Sequence, residues 1–330
     1  MKPKVAIVLP CYKVRRHILQ VISGIAENDA WRIYVVDDRC PDGSGDFVEQ
    51  NCNDSRVHVL RNEQNQGVGG AVMAGYKQAI ADGAEVIVKI DGDGQMNPAL
   101  IPYFTAPILS DQADYSKGNR FYDLDNIVIM PRIRIFGNAI LSLMTKLSSG
   151  YWDLFDPTNG YTAIHSDVAK HLPFEKISSR YFFETDMLFR LNTLRAVVVD
   201  IPMDAKYADE VSGLKISKII GEFLFKHIRN FLKRIFYNYY LKDMSLASLE
   251  LPLGILLLVF GAFFGGYHWF VAARADTLTS AGTVMISALP IMMGLQFVLA
   301  FFAYDIAQVP RRVVHDVLRG RPVAEREQCQ

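Results

Sequence analysis

Two long apolar runs near the C-terminal end constrain this 330-residue chain more than any other feature. In residues 249–272, Leu253 to Phe260 carries no polar side chain, and the run continues through Phe263 and Phe264 to Trp269 and Phe270. Residues 283–304 include Val284-Met285-Ile286 and the apolar blocks 289–293 and 297–303. About 20 apolar residues in a helix cross a hydrocarbon core of ~30 Å. The pair therefore reads as a transmembrane hairpin closed by Arg274-Ala275-Asp276-Thr277. Lys233, Arg234 and Lys242 precede it, Arg311, Arg312, Arg319 and Arg321 follow it, and the connector is nearly neutral. The excess of basic residues on the cytosolic side of membrane proteins then places both ends in the cytosol and the connector outside. Two buried helices of a soluble protein are the competing reading.

Ahead of the hairpin, Ile216, Ile219, Ile220, Phe223, Leu224, Ile228, Phe231, Leu232 and Ile235 recur at helical spacing, with lysines and arginines between them. A basic amphipathic helix of this kind lies in a membrane interface. Its alternative is a helix packed on the globular domain with a solvated basic face. Lys+Arg and Asp+Glu both total 35, so no basic excess points to nucleic acid. Cys11, Cys40, Cys52 and Cys329 form no CxxC pair, which indicates neither a zinc site nor a disulfide framework but reduced thiols in a cytosolic compartment. Val5–Leu9 stops at Pro10, too short for a signal peptide, and reads as a first buried strand. The expected location is the inner (plasma) membrane, multi-pass, with the catalytic part cytosolic. Membrane lipids are partners, and paired hairpins often self-associate, so a homo-oligomer is compatible.

Residues 1–213 alternate apolar runs with helical patterns. Val5–Leu9, Arg32–Val36, Val57–Leu60 and Glu85–Ile90 read as strands, and Arg16–Glu27, Gly45–Asn51 and Gly69–Asp82 as helices. This order predicts an α/β fold with a mostly parallel, Rossmann-like sheet covered by helices on both faces. The domains expected are 1–213, the cytosolic α/β domain; 214–246, basic amphipathic juxtamembrane helices; 247–306, two transmembrane helices; and 307–330, a cytosolic basic tail. Ligands of such sheets bind at the carboxyl ends of the strands. Pro10-Cys11-Tyr12, Asp37-Asp38 and Asp91-Gly92-Asp93 all fall there.

Ile90-Asp91-Gly92-Asp93-Gly94-Gln95 sets two carboxylates and a carboxamide at alternate positions after a strand. Alternate residues of an extended segment point the same way. Asp91, Asp93 and Gln95 would then converge on one hard cation, Mg2+ or Mn2+, shared with substrate phosphates. A polar turn is the bland alternative. Asp37-Asp38, at the next strand end, offers acceptors to a nucleobase or ribose, or is a solvated loop pair. Asn65-Gln66-Gly67-Val68-Gly69-Gly70 opens a helix, but it lacks the dinucleotide fingerprint's position and reads as structural, with phosphate contact open.

In this order and spacing these motifs resemble family 2 glycosyltransferases with the GT-A fold. Gly118-Asn119-Arg120, Asp156-Pro157-Thr158-Asn159-Gly160-Tyr161, the Tyr207 to Lys215 segment and the hairpin narrow the likeness. They resemble the branch of dolichol-phosphate mannose synthases and bacterial polyprenyl-phosphate glycosyltransferases. The resemblance implies that Pro10, Tyr12, Val36 and Asp38 line a nucleoside pocket. It implies that Asp91 touches the ribose or sugar, and that Asp93 and Gln95 hold the metal. Arg120 would contact the donor diphosphate or acceptor phosphate, Asp156 would sit by the sugar, and Lys206 and Lys215 would close over the nucleotide sugar. Val14 and Arg39-Cys40 depart from the family's usual residues and leave the donor base open.

A leaving nucleoside diphosphate needs its developing charge neutralised. A hydroxyl acceptor also needs a general base. A phosphate monoester, with a second pKa of ~6, is already largely dianionic and needs only positive charge around it. Arg120, Arg132, Arg134, Lys206 and Lys215 are the candidates for that charge, and Asp186 is the candidate base for a hydroxyl. The leading expectation is an inverting, metal-dependent glycosyltransferase. It moves a hexose from a nucleotide sugar, UDP-hexose ahead of GDP-mannose, to polyprenyl (undecaprenyl) phosphate, in service of cell-surface polysaccharide or lipid modification. The alternatives are transfer to a sugar hydroxyl of a lipid-linked oligosaccharide and a catalytically inactive membrane scaffold.

Overall fold

The structure is a computed structural model that describes residues 2–122, 132–156, 158–204 and 216–319, without the side chains of 132–134 and 216–220. Its seven-stranded sheet has the order β3-β2-β1-β4-β6-β5-β7. The strands are β1 (Val5–Cys11), β2 (Arg32–Asp37), β3 (Val57–Arg61), β4 (Val86–Lys89), β5 (Tyr115–Asn119), β6 (Thr162–His165) and β7 (Val198–Pro202). Strands β1 to β4 run parallel, as do β5 and β7. β6 runs antiparallel to both of its neighbours, β4 and β5. The mostly parallel α/β sheet expected from the alternating pattern is present. β1 is buried at all 7 positions, as a strand covered on both faces must be.

The helices among the described residues are α1 (Ile18–Ser23), α2 (Ser44–Asn51), α3 (Val68–Ala81), α4 (Ile101–Leu109), α5 (Arg132–Ser149), α6 (Ser166–Lys170), α7 (Phe183–Leu194), α8 (Ile216–Phe236), α9 (Ala247–Ala275), α10 (Ala281–Ala307) and α11 (His315–Leu318). α1 is shorter than the Arg16–Glu27 pattern suggests. Its apolar face, Ile18, Val21 and Ile22, is buried. However, the chain turns at residues 14–17, and the Gly24 N–H closes the helix on the carbonyls of Gln20 and Val21.

The chain divides into two compact units, residues 1–231 with 310–330, and residues 232–309. In the first, α5 and α8 meet where Ser148 Oγ lies 2.9 Å from His227 Nδ1. Phe136, Ile140 and Leu143 of α5 are exposed, as are Leu224, Phe225 and Ile228 of α8. These are apolar stripes that no described part of the unit covers. Residues 310–319 return to the edge of the sheet where β5 begins. There Asp114 accepts hydrogen bonds from the N–H groups of Val314 (3.0 Å) and His315 (2.9 Å), and from Val197 N–H at 2.7 Å. His315 stacks on His165 with ring centroids 4.3 Å apart. Arg321 and residues 325–330, read from sequence as part of the basic tail, lie outside the described residues.

The second unit holds α9 and α10, two helices long and apolar enough to cross a membrane. They pack through small residues. A Cβ on Gly254 would lie 3.0 Å from the Gly294 carbonyl, one on Gly261 would lie 2.7 Å from the Ser287 carbonyl, and Ser287 Oγ donates to Gly261 O at 3.0 Å. Such contacts carry helix pairing where no hydrophobic force separates helix from lipid. Phe263 (77% exposed) and Trp269 (74%) point outward. At the base, Arg234 meets both Asp305 oxygens at 2.6 and 2.9 Å, with Tyr239 donating to the same carboxylate.

The docked segment makes stability pH-dependent with two opposing signs. Burial and the nearby His315 push His165 down to about 4. Burial disfavours a charged His315 too, but its hydrogen bonds to Asp111 and Asp114 prevail and raise it. An unfolded histidine titrates near ~6.5. His165 therefore costs stability as pH falls from ~6.5 towards 4, whereas the contribution of His315 is full below ~6.5 and is lost as pH rises through its folded value. In thermal melts, His165→Asn is expected to flatten the acid-side decline. His315→Asn is expected to lower the melting temperature at about pH 6 and to remove the alkaline-side decline.

Candidate active site

The carboxyl ends of β1, β2 and β4 carry the residues singled out in the sequence. β4 ends at Lys89, and Asp91 to Gly94 form a turn rather than an extended segment, with Gly94 at φ 80°. The Gln95 N–H closes the turn by donating to Asp93 Oδ1 at 3.0 Å. The motif is therefore a turn and not the alternating extended segment expected from the sequence. Asp91 turns back on the strand, its Oδ1 2.9 Å from Lys89 Nζ. Lys89 is 1% exposed, and its ammonium also lies 3.5 Å from Glu184 Oε1, in the first turn of α7.

Asp156 and residues 158–161 reach this edge because β6 is antiparallel. Its first residue, Thr162, pairs with Lys89, the last of β4, and with Lys117 of β5. Asp156 is 1% exposed and receives Arg120 on both oxygens, Nε at 2.8 Å and Nη2 at 3.0 Å. Burial alone would raise its pKa, but the Arg120 hydrogen bonds and the charges of Lys117 and Arg120 lower it. Gly160 packs against the neighbouring pair. A Cβ there would lie 2.2 Å from Lys89 Nζ and 2.8 Å from Asp91 Oδ2.

Of the residues expected to line a nucleoside pocket, Pro10 and Val36 are register partners on β1 and β2. Val36 is fully buried, and its side chain packs where α3 has Gly75. Tyr12 is 43% exposed at the rim. Asp38, expected to face a ligand, is 2% exposed and turned inward. Its oxygens accept from Asn62 Nδ2, Gln66 N and Gly67 N, each at 2.8 Å. Asp37 likewise accepts from Cys40 N at 2.7 Å. Both acids hold the loops that frame the pocket. The glycine run packs closely on the α7 approach, since a Cβ on Gly67 would meet Ser179 O and one on Gly69 the Phe183 ring, each at 2.7 Å.

Lys206, Lys215 and the Tyr207 to Lys215 segment lie outside the described residues, as do the side chains of Arg132 and Arg134. Asp186 is fully buried and accepts from Ser178 N at 2.8 Å and Asn230 Nδ2 at 3.0 Å. Lys89 was not singled out in the sequence, although it is a lone charge in the apolar run Val86–Ile90 and lies two residues from Asp91.

Asp93 and Gln95 each carry a hard oxygen donor in the turn after β4, and Asp93 accepts from the Gln95 N–H; oxygen donors of this kind suit Mg2+ or Mn2+ shared with phosphate oxygens. Beside Gln95 is a cleft of about 510 Å³ lined also by Asn97, Leu100, Tyr122, Pro202, Met203 and Asp204. A second group of potential ligands, Asp111, His315 and Asp316, precedes or flanks the start of β5. That is the opposite edge of the sheet, and Asp111 already accepts from His315 Nε2 at 3.0 Å.

A family model described as Glycosyl transferase family 2 matches residues 6–172. The chain is 32% identical over 202 residues to an undecaprenyl-phosphate mannosyltransferase of Micrococcus luteus, covering 61% of this chain and 81% of that protein. It is 26% identical to a UDP-N-acetylglucosamine–dolichyl-phosphate N-acetylglucosaminyltransferase of Methanococcus voltae, covering 65% and 90%. Among solved structures it is similar to glucosyl-3-phosphoglycerate synthase from Mycobacterium tuberculosis in complex with Mn2+, UDP-glucose and phosphoglyceric acid. The TM-score is 0.53 at 17% identity, over 70% of this chain and 79% of that one, a likeness of fold.

The site geometry makes Gly160 a position that tolerates no side chain. Gly160→Ala drives a methyl group into the Lys89–Asp91 pair and is expected to destabilise the chain by about 1–3 kcal/mol, the usual range for overpacking. Equilibrium unfolding in denaturant measures this, and an unchanged midpoint would refute the contact.

Proposed function

This chain belongs to glycosyl transferase family 2, and on that basis we propose that it moves a hexose, with inversion, from a nucleoside diphosphate sugar to a polyprenyl phosphate at the cytosolic face of a membrane. One observation carries the choice of acceptor: the acids near the reacting centre are already committed. Asp91 is paired with Lys89, Asp156 with Arg120, and the buried Asp186 with Ser178 and Asn230. A hydroxyl acceptor would need one of them as a base. A phosphate monoester, largely dianionic above pH ~6, does not. Two of the relatives carry a lipid phosphate in their names, which supports the same reading.

In the proposed reaction an acceptor phosphate oxygen attacks the anomeric carbon. The bond from that carbon to the donor's diphosphate breaks, and the nucleoside diphosphate leaves with the electron pair. Arg120, oriented by Asp156, presents a fixed guanidinium to phosphate oxygens. Asp93 and Gln95 would hold Mg2+ or Mn2+, whose charge offsets that of the leaving diphosphate. Pro10 and Tyr12 frame the nucleoside, Val36, buried against Gly75 of α3, supports that strand end from within the core, Asp38 acts through the loop it holds, and UDP-hexose is the favoured donor. Lys206 and Lys215 are the further cations that the family resemblance assigns to the donor.

The membrane placement follows from charge and from exposed apolar surface. Apolar stripes on α5 and α8, an apolar hairpin and basic flanks suit a catalytic unit resting on the bilayer where a lipid phosphate lies. A cysteine introduced at Thr277 is expected to be labelled by an impermeant reagent from outside intact cells, and a tag after Gln330 only after permeabilisation. Labelling of the C-terminal tag in intact cells would overturn the two-span arrangement.

The acceptor is tested with radiolabelled nucleotide sugars and three acceptors: polyprenyl phosphate, polyprenol and a lipid-linked disaccharide. Label is expected in polyprenyl phosphate alone, with a rate that rises through about pH 6 and then levels. Asp93→Asn and Arg120→Ala are each expected to lose at least about 100-fold in turnover while remaining folded. Asp186→Asn is expected to lower the melting temperature yet keep turnover per folded molecule. Label entering only the disaccharide, together with an inactive, folded Asp186→Asn, would replace the phosphate acceptor with a hydroxyl.

A further inference from the structure

A lysine at the end of a buried strand needs a reason. Removing an ammonium from water costs several kcal/mol before any partner offsets it. In a fully covered strand the position would ordinarily be apolar. Lys89 is 1% exposed. On its row across the sheet, Thr162 of β6 is its register partner, and Lys117, a second buried lysine, is the partner of Thr162 on β5. The two lysines are held differently. Lys117 Nζ has no hydrogen-bond partner among the described residues, and burial lowers its pKa, opposed only in part by the charges of Asp156 and Asp200. Lys89 has Asp91 at 2.9 Å and Glu184 at 3.5 Å. Burial opposes its charge, and those two carboxylates outweigh burial.

The packing around Lys89 is specific. β4 brings in the ammonium and the following turn brings in Asp91. The first turn of α7 brings in Glu184, whose side chain is 13% exposed. Gly160 closes the space with bare backbone, 2.2 Å from Nζ measured at its would-be Cβ. Asp91 keeps a side chain 28% exposed, so it is anchored from below and open above. A carboxylate tied to one ammonium through Oδ1, with Oδ2 beside Gly160 and more than a quarter of the side chain still exposed, is a preset acceptor for hydroxyl groups. Such preorganisation by buried partners is how a supporting shell sharpens a binding group.

We propose that Lys89 and Glu184 are positioning residues for donor recognition: Glu184 anchors the Lys89 ammonium, and Lys89 holds Asp91 in one orientation in which it accepts hydrogen bonds from hydroxyl groups of the nucleotide sugar. The proposal rests on the chain being a nucleotide-sugar transferase and is independent of which acceptor it uses. It also separates Asp91 from Asp93 and Gln95. Asp91 directs an oxygen to Lys89 and serves the sugar or ribose, and the other two serve the diphosphate and its cation.

The test uses the full chain in nanodiscs and four variants: Asp91→Asn, Glu184→Gln, Lys89→Met with Glu184→Gln, and Lys89→Met with Asp91→Asn. The Lys89→Met/Glu184→Gln pair removes both buried charges together and avoids stranding one carboxylate. Calorimetry with Mn2+ measures affinity for UDP-glucose, UDP-N-acetylglucosamine and GDP-mannose against UDP and GDP. Steady-state transfer gives kcat/KM with the sugar that the wild type uses. In the charge-neutral pair the nucleotide sugar is expected to lose about tenfold in affinity while the bare diphosphate stays within about twofold, with a matching fall in kcat/KM. Lys89→Met with Asp91→Asn is expected to be no worse than Asp91→Asn alone, because Lys89 acts through Asp91. Glu184→Gln, the same size as the native residue, gives an intermediate loss and serves if the pair fails to fold. Equal losses for sugar and diphosphate, losses that multiply with Asp91→Asn, or a Glu184→Gln enzyme indistinguishable from wild type would each overturn the proposal. If binding shifts as expected but polyprenyl phosphate is not glycosylated, the acceptor assignment fails and the positioning role stands.

Discussion

A buried ammonium between two carboxylates is the interaction on which the site depends. Lys89 joins three elements that have no sequence proximity: the end of β4, the first turn of α7 through Glu184, and the segment that contains Gly160. Each charge is tolerable only because the other two are present, since an unpaired buried charge is far costlier than a paired one. The arrangement therefore requires that α7 and the strand leading into β6 be in place. It couples the core of the sheet directly to Asp91.

The same economy of charge runs through the rest of the edge. Arg120 and Asp156 form a bidentate pair with the carboxylate below and the guanidinium, on a side chain 30% exposed, above. Asp38 and Asp37 hold loops by their backbone amides. Asp186 ties the approach to α7 to α8. Asp37, Asp38, Asp156 and Asp186, which look available in the sequence, are each held by hydrogen bonds within the fold. That distribution suits a reaction between two phosphates, in which repulsion and not proton removal is the obstacle.

Segments of the first unit far apart in the chain are held together by comparable means. Asp114, fully buried, binds the backbone of Val314 and His315 and the ring of His315. The residues after the apolar hairpin thus belong to the catalytic unit. Within the other unit, small residues let α9 and α10 approach closely, and Arg234, Asp305 and Tyr239 form one buried polar cluster.

Much was legible in order along the chain. The apolar runs of β1, β2 and β4 specify parallel strands because only a doubly covered strand can be apolar throughout. The two C-terminal runs specify long helices by length and lack of charge. Asp91-Gly92-Asp93-Gly94-Gln95 marks the strand end, and the motif set marks the family. Tertiary structure decided which way the acids face, because a carboxylate's role depends on the partners that reach it. Asp38 turns inward onto amides nearly thirty residues away, and Asp156 accepts an arginine that directly follows β5. It also decided that Asp156 and Gly160 join Asp91 at all. They arrive there because β6 runs antiparallel, which carries the start of that strand to the edge where its neighbours end. Strand direction is set by pairing and chain return, not by composition, so a lysine inside an apolar run showed its purpose only once the strands beside it were in place.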